Sequence, residues 1–378
     1  MNGNRIRWGL VGGGPNSLIG VVHRVAASMG EDCQLIGGVF SAQHEVGKQF
    51  AASLDLDANR AYADLDALID GEARRPVDER MSLITIATPN YLHHVMAMKL
   101  VRSGFNVICE KPVTATAAEA VELAAAVERS GVVFAVAHTY TGYPMVRQLR
   151  SMIAQGAIGT VQKVHVQYYQ GWINPVIHEP SQWSSVWRLD PRRGGPSCCI
   201  GDIGVHAFNL IEYTTGLEIT QVLADLNTLN PANPLDVDGS ALLRFDNGSK
   251  GILLASQIAT GEENNLQMAI YGRSGALKWA QESPGRLEHL REGEPALTFT
   301  AGSSYNAPEA RSAGKLPPGH PDGFIDAMGN IYRGVVRQIR SGHTVPGEFP
   351  DIQDGVRGMR FVEAVLRSAA QENRWVDV

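Results

Sequence analysis

Positive charge is in short supply in this chain. Lys and Arg number 33 against 39 Asp and Glu, a formal net charge of −6, so there is no basic surface for nucleic acid or an anionic membrane. Cysteine is equally scarce. The four, Cys33, Cys109, Cys198 and Cys199, have neither the CxxC spacing of a zinc site nor the density of a disulfide scaffold, and they fit a reducing cytoplasm. Long apolar runs are missing too: glycines interrupt the opening "MNGNRIRWGLVGGG" too soon for a signal peptide, and no later run reaches about 18 apolar residues. These absences predict a soluble cytoplasmic protein with no nucleic-acid and no membrane partner.

The chain of 378 residues is too long for one core, so two domains are expected, residues 1–138 and 139–378, with C-terminal helices available to pack back on the first. Up to about residue 138, short apolar runs alternate with helical periods. The strands expected are Ile6 to Val11, Gln34 to Phe40, Ser82 to Ala87, Phe105 to Cys109 and Val132 to Ala137. The helices expected between them are Val21 to Met29, His44 to Ala52, Tyr91 to Ser103 and Ala117 to Ser130. This is the pattern of an α/β doubly wound parallel sheet.

After Tyr140 the texture changes to a helix, "MVRQLRSMIAQG", and then to alternating strands such as "VQKVHVQYYQGW" and "ALLRFDNGSKGILLASQI". Asp246, Asn247 and Gly248 mark a hairpin, which favours an α+β domain with a large, mostly antiparallel open sheet. Residues 281–320 read as an irregular loop, and two helical stretches follow.

Four stretches carry chemistry. "GGGPNSLIG" follows the first strand, where Gly12 and Gly14 have the early spacing of a dinucleotide turn but Ser17 stands where a third glycine is usual. Asn16, Ser17 and Leu18 then belong to an inserted Pro15–Ile19 segment, and Gly20 is left for the close-packing role. At the end of the second strand Ser41 offers neither an acid for a ribose nor a nearby Arg for its phosphate, so NAD and NADP both stay open; Lys48 and His44 are candidates for that phosphate or plain solvated helix residues. Thr88, Pro89 and Asn90, then Glu110, Lys111 and Pro112, close two later strands at the ligand-binding edge of such a sheet.

The fourth stretch is "GGPSCCIGDIGVHAFNLIEYTTG". Asp202 and His206 are four apart and share one face of a helix, so the carboxylate can orient the imidazole as a general base. A satisfied helix-face pair is the plainer reading of the same spacing. A metal site lacks ligands here, and serine chemistry lacks its elbow motif.

In this order, the glycine loop, "TPN" with His93, "EKP" and "GDIGVH" resemble the Gfo/Idh/MocA family of oxidoreductases, over the chain from Ile6 to its C-terminus. The resemblance implies an N-terminal Rossmann domain and a C-terminal substrate-binding and oligomerisation domain. It implies an NAD(P)-dependent dehydrogenase acting on a secondary alcohol of a sugar, sugar derivative or cyclitol. Lys111, Asp202 and His206 take the catalytic positions, and the Lys111–Pro112 peptide is expected to be cis. Gly12, Gly14, Asn16, Ser17, Leu18, Ser41, Thr88, Pro89, Asn90, His93, Glu110 and Lys111 are the cofactor candidates. Trp187 and Arg188 join the catalytic three toward substrate, with Trp172, His178 and His320 as further wall candidates. A homodimer or homotetramer is expected, formed through an outer sheet face bearing Val164, Val166 and Tyr168. Two departures stand out, Ser17 in the loop and Cys198 with Cys199 where small residues are usual. NAD-dependent glycosidases and non-catalytic NAD(P)-binding regulators of the same family are the rival readings.

Overall fold

The computed structural model describes residues 5–30 and 32–378. The chain divides into two compact units. One comprises Met1–Thr114, Ala118–Thr139 and Met328–Val356; the other comprises Ala115–Ala117, Tyr140–Ala327 and Arg357–Val378.

The first unit holds a parallel sheet of β1 (Ile6–Gly12), β2 (Cys33–Val39), β3 (Leu83–Ala87), β4 (Asn106–Cys109) and β5 (Phe134–Val136), in the order β2-β1-β3-β4-β5. These runs form strands because they are buried on both faces: all five residues of β3 and all three of β5 are buried. Helices Leu18–Ser28, His44–Ser53, Leu65–Ala73, His93–Arg102 and Ala117–Ser130 connect them. The order reverses between β1 and β3, and ligands of such sheets sit beyond the carboxyl ends of strands at that reversal. The helix Leu65–Ala73 was not among the expected elements. It is capped by Asp64, whose Oδ1 accepts from Ala67 N at 2.8 Å, and it buries only Leu65, Leu68 and Glu72, too few to show a clear period.

The second unit is built on nine strands: β6 (Val161–Tyr169), β7 (Ile219–Asn227), β8 (Asp238–Phe245), β9 (Lys250–Ser256), β10 (Asn265–Gly272), β11 (Ala276–Ala280), β12 (Arg286–Leu290), β13 (Leu297–Thr300) and β14 (Val376–Asp377). Their order is β13-β12-β11-β10-β6-β9-β8-β7-β14, and every neighbouring pair is antiparallel except β6 with β9. The β8–β9 hairpin turns at Asp246–Gly248, with Gly248 at φ +83° as such a turn requires.

Two expectations need correction. Residues 281–320 are not a plain loop, since they contain β12, β13 and the helix Pro308–Ala313. β12 turns only Leu287 and His289 inward, and its charged outer residues Arg286 and Glu288 hide the alternation. Val164, Val166 and Tyr168 do not face outward. All three are buried in the core of this unit together with Leu149, Phe208, Leu253 and Phe361, so the apolar side of β6 is its inner side. The open side carries Lys163 and Gln167, and across the neighbouring strands Leu242, Ile252, Leu254 and Tyr271, exposed or half-buried.

Candidate active site

In the first unit, β1 delivers the chain into the glycine loop. Gly12 sits at φ +80°, and a Cβ there would lie 2.4 Å from Ala87 O; at Gly14 it would lie 2.0 Å from Phe40 O. Asn16 takes a left-handed φ of 62°, and Ser17 caps the helix Leu18–Ser28, its Oγ accepting from Gly20 N at 3.1 Å. A Cβ on Gly20 would stand 2.1 Å from Gly13 O, so this glycine gives the close loop-to-helix approach that Ser17 does not. Leu18 is already helical, and the insertion is therefore a cap rather than a bulge.

Three features fit this loop to a pyrophosphate: backbone that comes close where side chains are excluded, a helix N-terminus with orphan N–H groups, and no acidic residue in the first helical turn. Arg24 closes the loop from behind. Its Nη1 donates to Gly13 O at 2.8 Å, and its guanidinium lies 4.9 Å over the Phe50 ring. Ser41 follows β2 and its Oγ accepts from Gln43 N, while Lys48 is paired with Glu45 at 3.0 Å.

Thr88, Pro89 and Asn90 leave the carboxyl end of β3, and Glu110 and half-buried Lys111 leave β4 at the same edge. The Lys111–Pro112 peptide is cis. His93 is fully buried, with Nδ1 2.8 Å from Pro112 O and Nε2 2.8 Å from Thr88 O, so both ring nitrogens are committed to the backbone of these two turns. Burial pushes its pKa down, against the pull of those two carbonyls. Both Glu110 oxygens are engaged as well, one by His23 and one by Lys111 N.

In the second unit, Asp202 lies on a π-helical turn, Ile200–Gly204, that runs into the helix Val205–Thr215 carrying His206. The four-residue spacing thus spans a π-to-α junction and not one regular helix, a kind of irregularity frequent at functional sites. The fully buried Asp236 anchors the start of that turn: Oδ1 accepts from Cys198 N at 3.1 Å and Oδ2 from Ile200 N at 2.7 Å. Burial raises the Asp236 pKa, with those donors opposing.

The Asp202 carboxylate is held from two sides. Gln257 Nε2 donates to Oδ2 at 2.9 Å, and Arg188 Nε forms an ion pair with the same oxygen at 3.2 Å. Arg188 in turn lies 4.5 Å over Trp187 and 6.0 Å over Trp172, so those three candidate wall residues do come together with Asp202. His206 is buried, with its ring edge-on to Tyr140 at 4.9 Å and tilted to Tyr168 at 6.4 Å. Tyr140 and Tyr168 hydrogen-bond through their hydroxyls, and Tyr168 Oη donates to Asn264 Oδ1 at 2.7 Å. Burial raises both phenol pKa values, so neither phenol is a ready proton acceptor. His178 and His320 are exposed and are not joined to this cluster.

Gln257, Asp236, Tyr140 and Asn264 escaped sequence reasoning. Only Gln257 left a signal, a polar residue continuing the apolar end of β9 in "LLASQ". Among the described residues no group of three His, Cys, Asp or Glu could hold a metal, and no helix is long and apolar enough to cross a membrane.

A parallel sheet with a glycine-loop cradle at its strand reversal, joined in one chain to an Asp-His junction on a large open sheet, defines a nicotinamide-dependent oxidoreductase class. The comparisons with known proteins agree. Residues 6–138 match the oxidoreductase family model with an NAD-binding Rossmann fold, residues 146–278 match the GFO/IDH/MocA C-terminal domain, and the chain belongs to this family. Its relatives include the uncharacterized oxidoreductase YfiI of Bacillus subtilis, 31% identical over 100% of this chain and 99% of that one. The levoglucosan dehydrogenase of Pseudarthrobacter phenanthrenivorans is 28% identical over 80% and 81%. An inositol dehydrogenase homolog from Azotobacter vinelandii, solved with NAD+, superposes with a TM-score of 0.93 at 31% identity, covering 99% of this chain and 98% of that one. The same protein with NADH and myo-inositol gives a TM-score of 0.90 at 30% identity over the same shares.

Proposed function

We propose that this chain is an NAD(P)-dependent dehydrogenase that interconverts a secondary alcohol and its ketone on a cyclitol, a sugar or a sugar derivative. The observation that carries the reading is the Asp202–His206 junction: a buried imidazole packed against two phenol rings, four residues after a carboxylate fixed by Gln257 and Arg188. Ligands of relatives point to the substrate class, since the Azotobacter protein was solved with myo-inositol and a levoglucosan dehydrogenase with levoglucosan.

A bound nicotinamide supplies the hydride acceptor or donor. The protein does the rest. In the oxidative direction His206 takes the proton of the substrate hydroxyl, which neither neighbouring phenol does readily. Asp202, held at Oδ2, fixes the orientation of substrate and imidazole. Lys111 is the cation that hydrogen-bonds the substrate oxygen, as its position in the "EKP" motif implies. The loop Gly12–Ser17 and the first turn at Leu18 hold the pyrophosphate, and Thr88, Pro89 and Asn90 line the same strand edge. Trp187 and Arg188 serve as polar and aromatic wall.

The reading extends to a cytoplasmic homodimer or homotetramer. The four unpaired, buried cysteines support the compartment, and the open face of the nine-stranded sheet with Leu242, Ile252 and Leu254 supports association. A stable monomer in sedimentation at micromolar concentration would remove the latter. The function itself is tested by screening sugars and cyclitols with NAD and with NADP, then assaying His206→Ala and Lys111→Ala on any hit. Full activity in both variants overturns the mechanism, whereas sugar release without net NADH formation selects the glycosidase reading.

A further inference from the structure

Five buried polar side chains of the first unit form one unbroken hydrogen-bonded line. Trp8 Nε1 donates to Thr85 Oγ1 at 2.8 Å, Thr85 Oγ1 and Tyr332 Oη are 2.8 Å apart, and Tyr332 Oη is 2.9 Å from His23 Nδ1. His23 Nε2 is then 3.0 Å from Glu110 Oε1, and the other carboxylate oxygen, Oε2, accepts from Lys111 N at 3.1 Å. Trp8, Thr85, His23 and Tyr332 are at most 2% exposed and Glu110 is 8% exposed, so water does not complete any of these bonds.

The ends of the line set its direction. An indole N–H only donates and an ionised carboxylate only accepts. With Trp8 giving to Thr85, the Thr85 hydroxyl gives to Tyr332, Tyr332 gives to His23 Nδ1, and His23 gives its Nε2 hydrogen to Glu110. Every hydrogen is used once. Protonating His23 at Nδ1 turns Tyr332 around toward Thr85 and strands the threonine hydrogen in a dry interior, which is costly. The line therefore holds His23 as the Nε2–H tautomer, aimed at Glu110.

His23 lies on the helix that Ser17 caps, one and a half turns beyond the glycine loop. Glu110 immediately precedes Lys111. We infer that His23 is a positioning residue for Lys111: by pinning the Glu110 carboxylate it fixes the peptide from which the lysine side chain departs, and so ties the lysine to the helix that begins at the cofactor loop. A line that merely filled the core would be served as well by apolar side chains of the same shape, without a carboxylate at its end. Other groups face this pair electrostatically, His93, Lys111, His138 and the buried Cys109 thiol. None of these interrupts the His23–Glu110 contact.

The inference rests on the role given to Lys111 above, and its test separates the two. In the full-length protein, His23→Leu removes the donor to Glu110, while His23→Gln places an amide N–H where Nε2 was. Leu is expected to lower kcat about tenfold or more with little change in NADH affinity, and Gln to restore most of it. Independently of turnover, acylation of Lys111 by an amine-reactive ester, read by mass spectrometry against Lys99, should change rate in His23→Leu and return in His23→Gln. An unaltered Lys111 rate in His23→Leu overturns the inference, as does weakened NADH binding with kcat intact. Should His23→Leu fail to fold, Tyr332→Phe breaks the line one bond earlier and is read in the same way. A wild-type protein that turns over no polyol sinks the functional reading, while the labelling result still decides this one.

Discussion

Gln257 holds Asp202 through a single amide N–H, Nε2 to Oδ2 at 2.9 Å, and its own orientation is set by Cys198 Sγ, which lies 3.4 Å from Gln257 Oε1. The side chain is fully buried, so it cannot turn away into solvent. Gln257→Glu would set a second carboxylate against Asp202, and like charges in a site disfavour joint ionisation. We expect kcat/KM to fall about a hundredfold, with the acidic limb of its pH profile displaced. Gln257→Leu leaves Arg188 as a partner and should cost less. Equal kinetics for Glu, Leu and wild type would mean that Asp202 needs no such support.

Gly20 offers a cleaner test of the loop. An added methyl would stand 2.1 Å from Gly13 O and 2.5 Å from Gly13 Cα, both backbone atoms that no rotamer change relieves. Gly20→Ala should destabilise the protein by about 1–3 kcal/mol and weaken NADH binding, read by urea unfolding and by fluorescence titration. Gly285→Ala is the control, since its methyl meets nothing nearer than Ala301 Cβ at 3.9 Å. Unchanged NADH affinity in Gly20→Ala would detach the loop from the cofactor.

The parallel sheet was legible because its strands are short, mostly apolar runs alternating with segments of helical period, and the β8–β9 hairpin because Asp246–Gly248 is a local turn signal. The facing of β6 was not. Val164, Val166 and Tyr168 alternate as they must on any strand, but alternation does not say which side the helices cover, and besides nearby Gln170 the tyrosine's hydroxyl is bonded by Tyr140 and Asn264 from distant parts of the chain. The same limit applies to the candidate site. Asp202 and His206 are near in sequence and were readable as a pair, whereas Gln257 and Asp236 reach that segment across 55 and 38 residues of separation. The π-helical turn has no composition of its own, since it is set by the buried Asp236 anchor rather than by residue propensity.

Tyr140 separates packing from hydrogen bonding at His206. Tyr140→Phe keeps the ring edge-on to the imidazole and loses the hydroxyl bond to Tyr168, which should cost about 1 kcal/mol of stability and leave kcat within a few-fold. Tyr140→Ala also removes the ring and opens the wall, at about 3–5 kcal/mol, and should lower kcat by freeing the imidazole. Chemical unfolding with steady-state kinetics on both variants distinguishes the two. A Phe variant as slow as the Ala variant would make the hydroxyl itself part of the proton path.

His138 gives the protein an acid-sensitive element beside Lys111. Burial pushes its pKa down from 6.5 to about 3, with the nearby Lys111 charge adding to the effect. Between those values the unfolded chain binds a proton that the folded chain refuses, so unfolding takes up protons there and stability rises with pH. The contribution is complete above the ordinary histidine value and is lost as pH falls, at about 1.4 kcal/mol per pH unit across the window. Urea unfolding at about pH 7 and about pH 5 should therefore show a steeper acid loss for wild type than for His138→Gln, whose side chain does not titrate. Glu110 acts in the same direction but lower down. Burial alone would raise its pKa, yet the His23 hydrogen bond and the Lys111 charge outweigh that and hold it below 4.5. Its share of stability is thus intact above 4.5, which covers the interval from about pH 7 to about pH 5, and is lost as pH falls further, in the lower part of the His138 window, so over that interval the difference between wild type and His138→Gln isolates the histidine. Parallel pH dependences for the two proteins would show that His138 takes up its proton without unfolding.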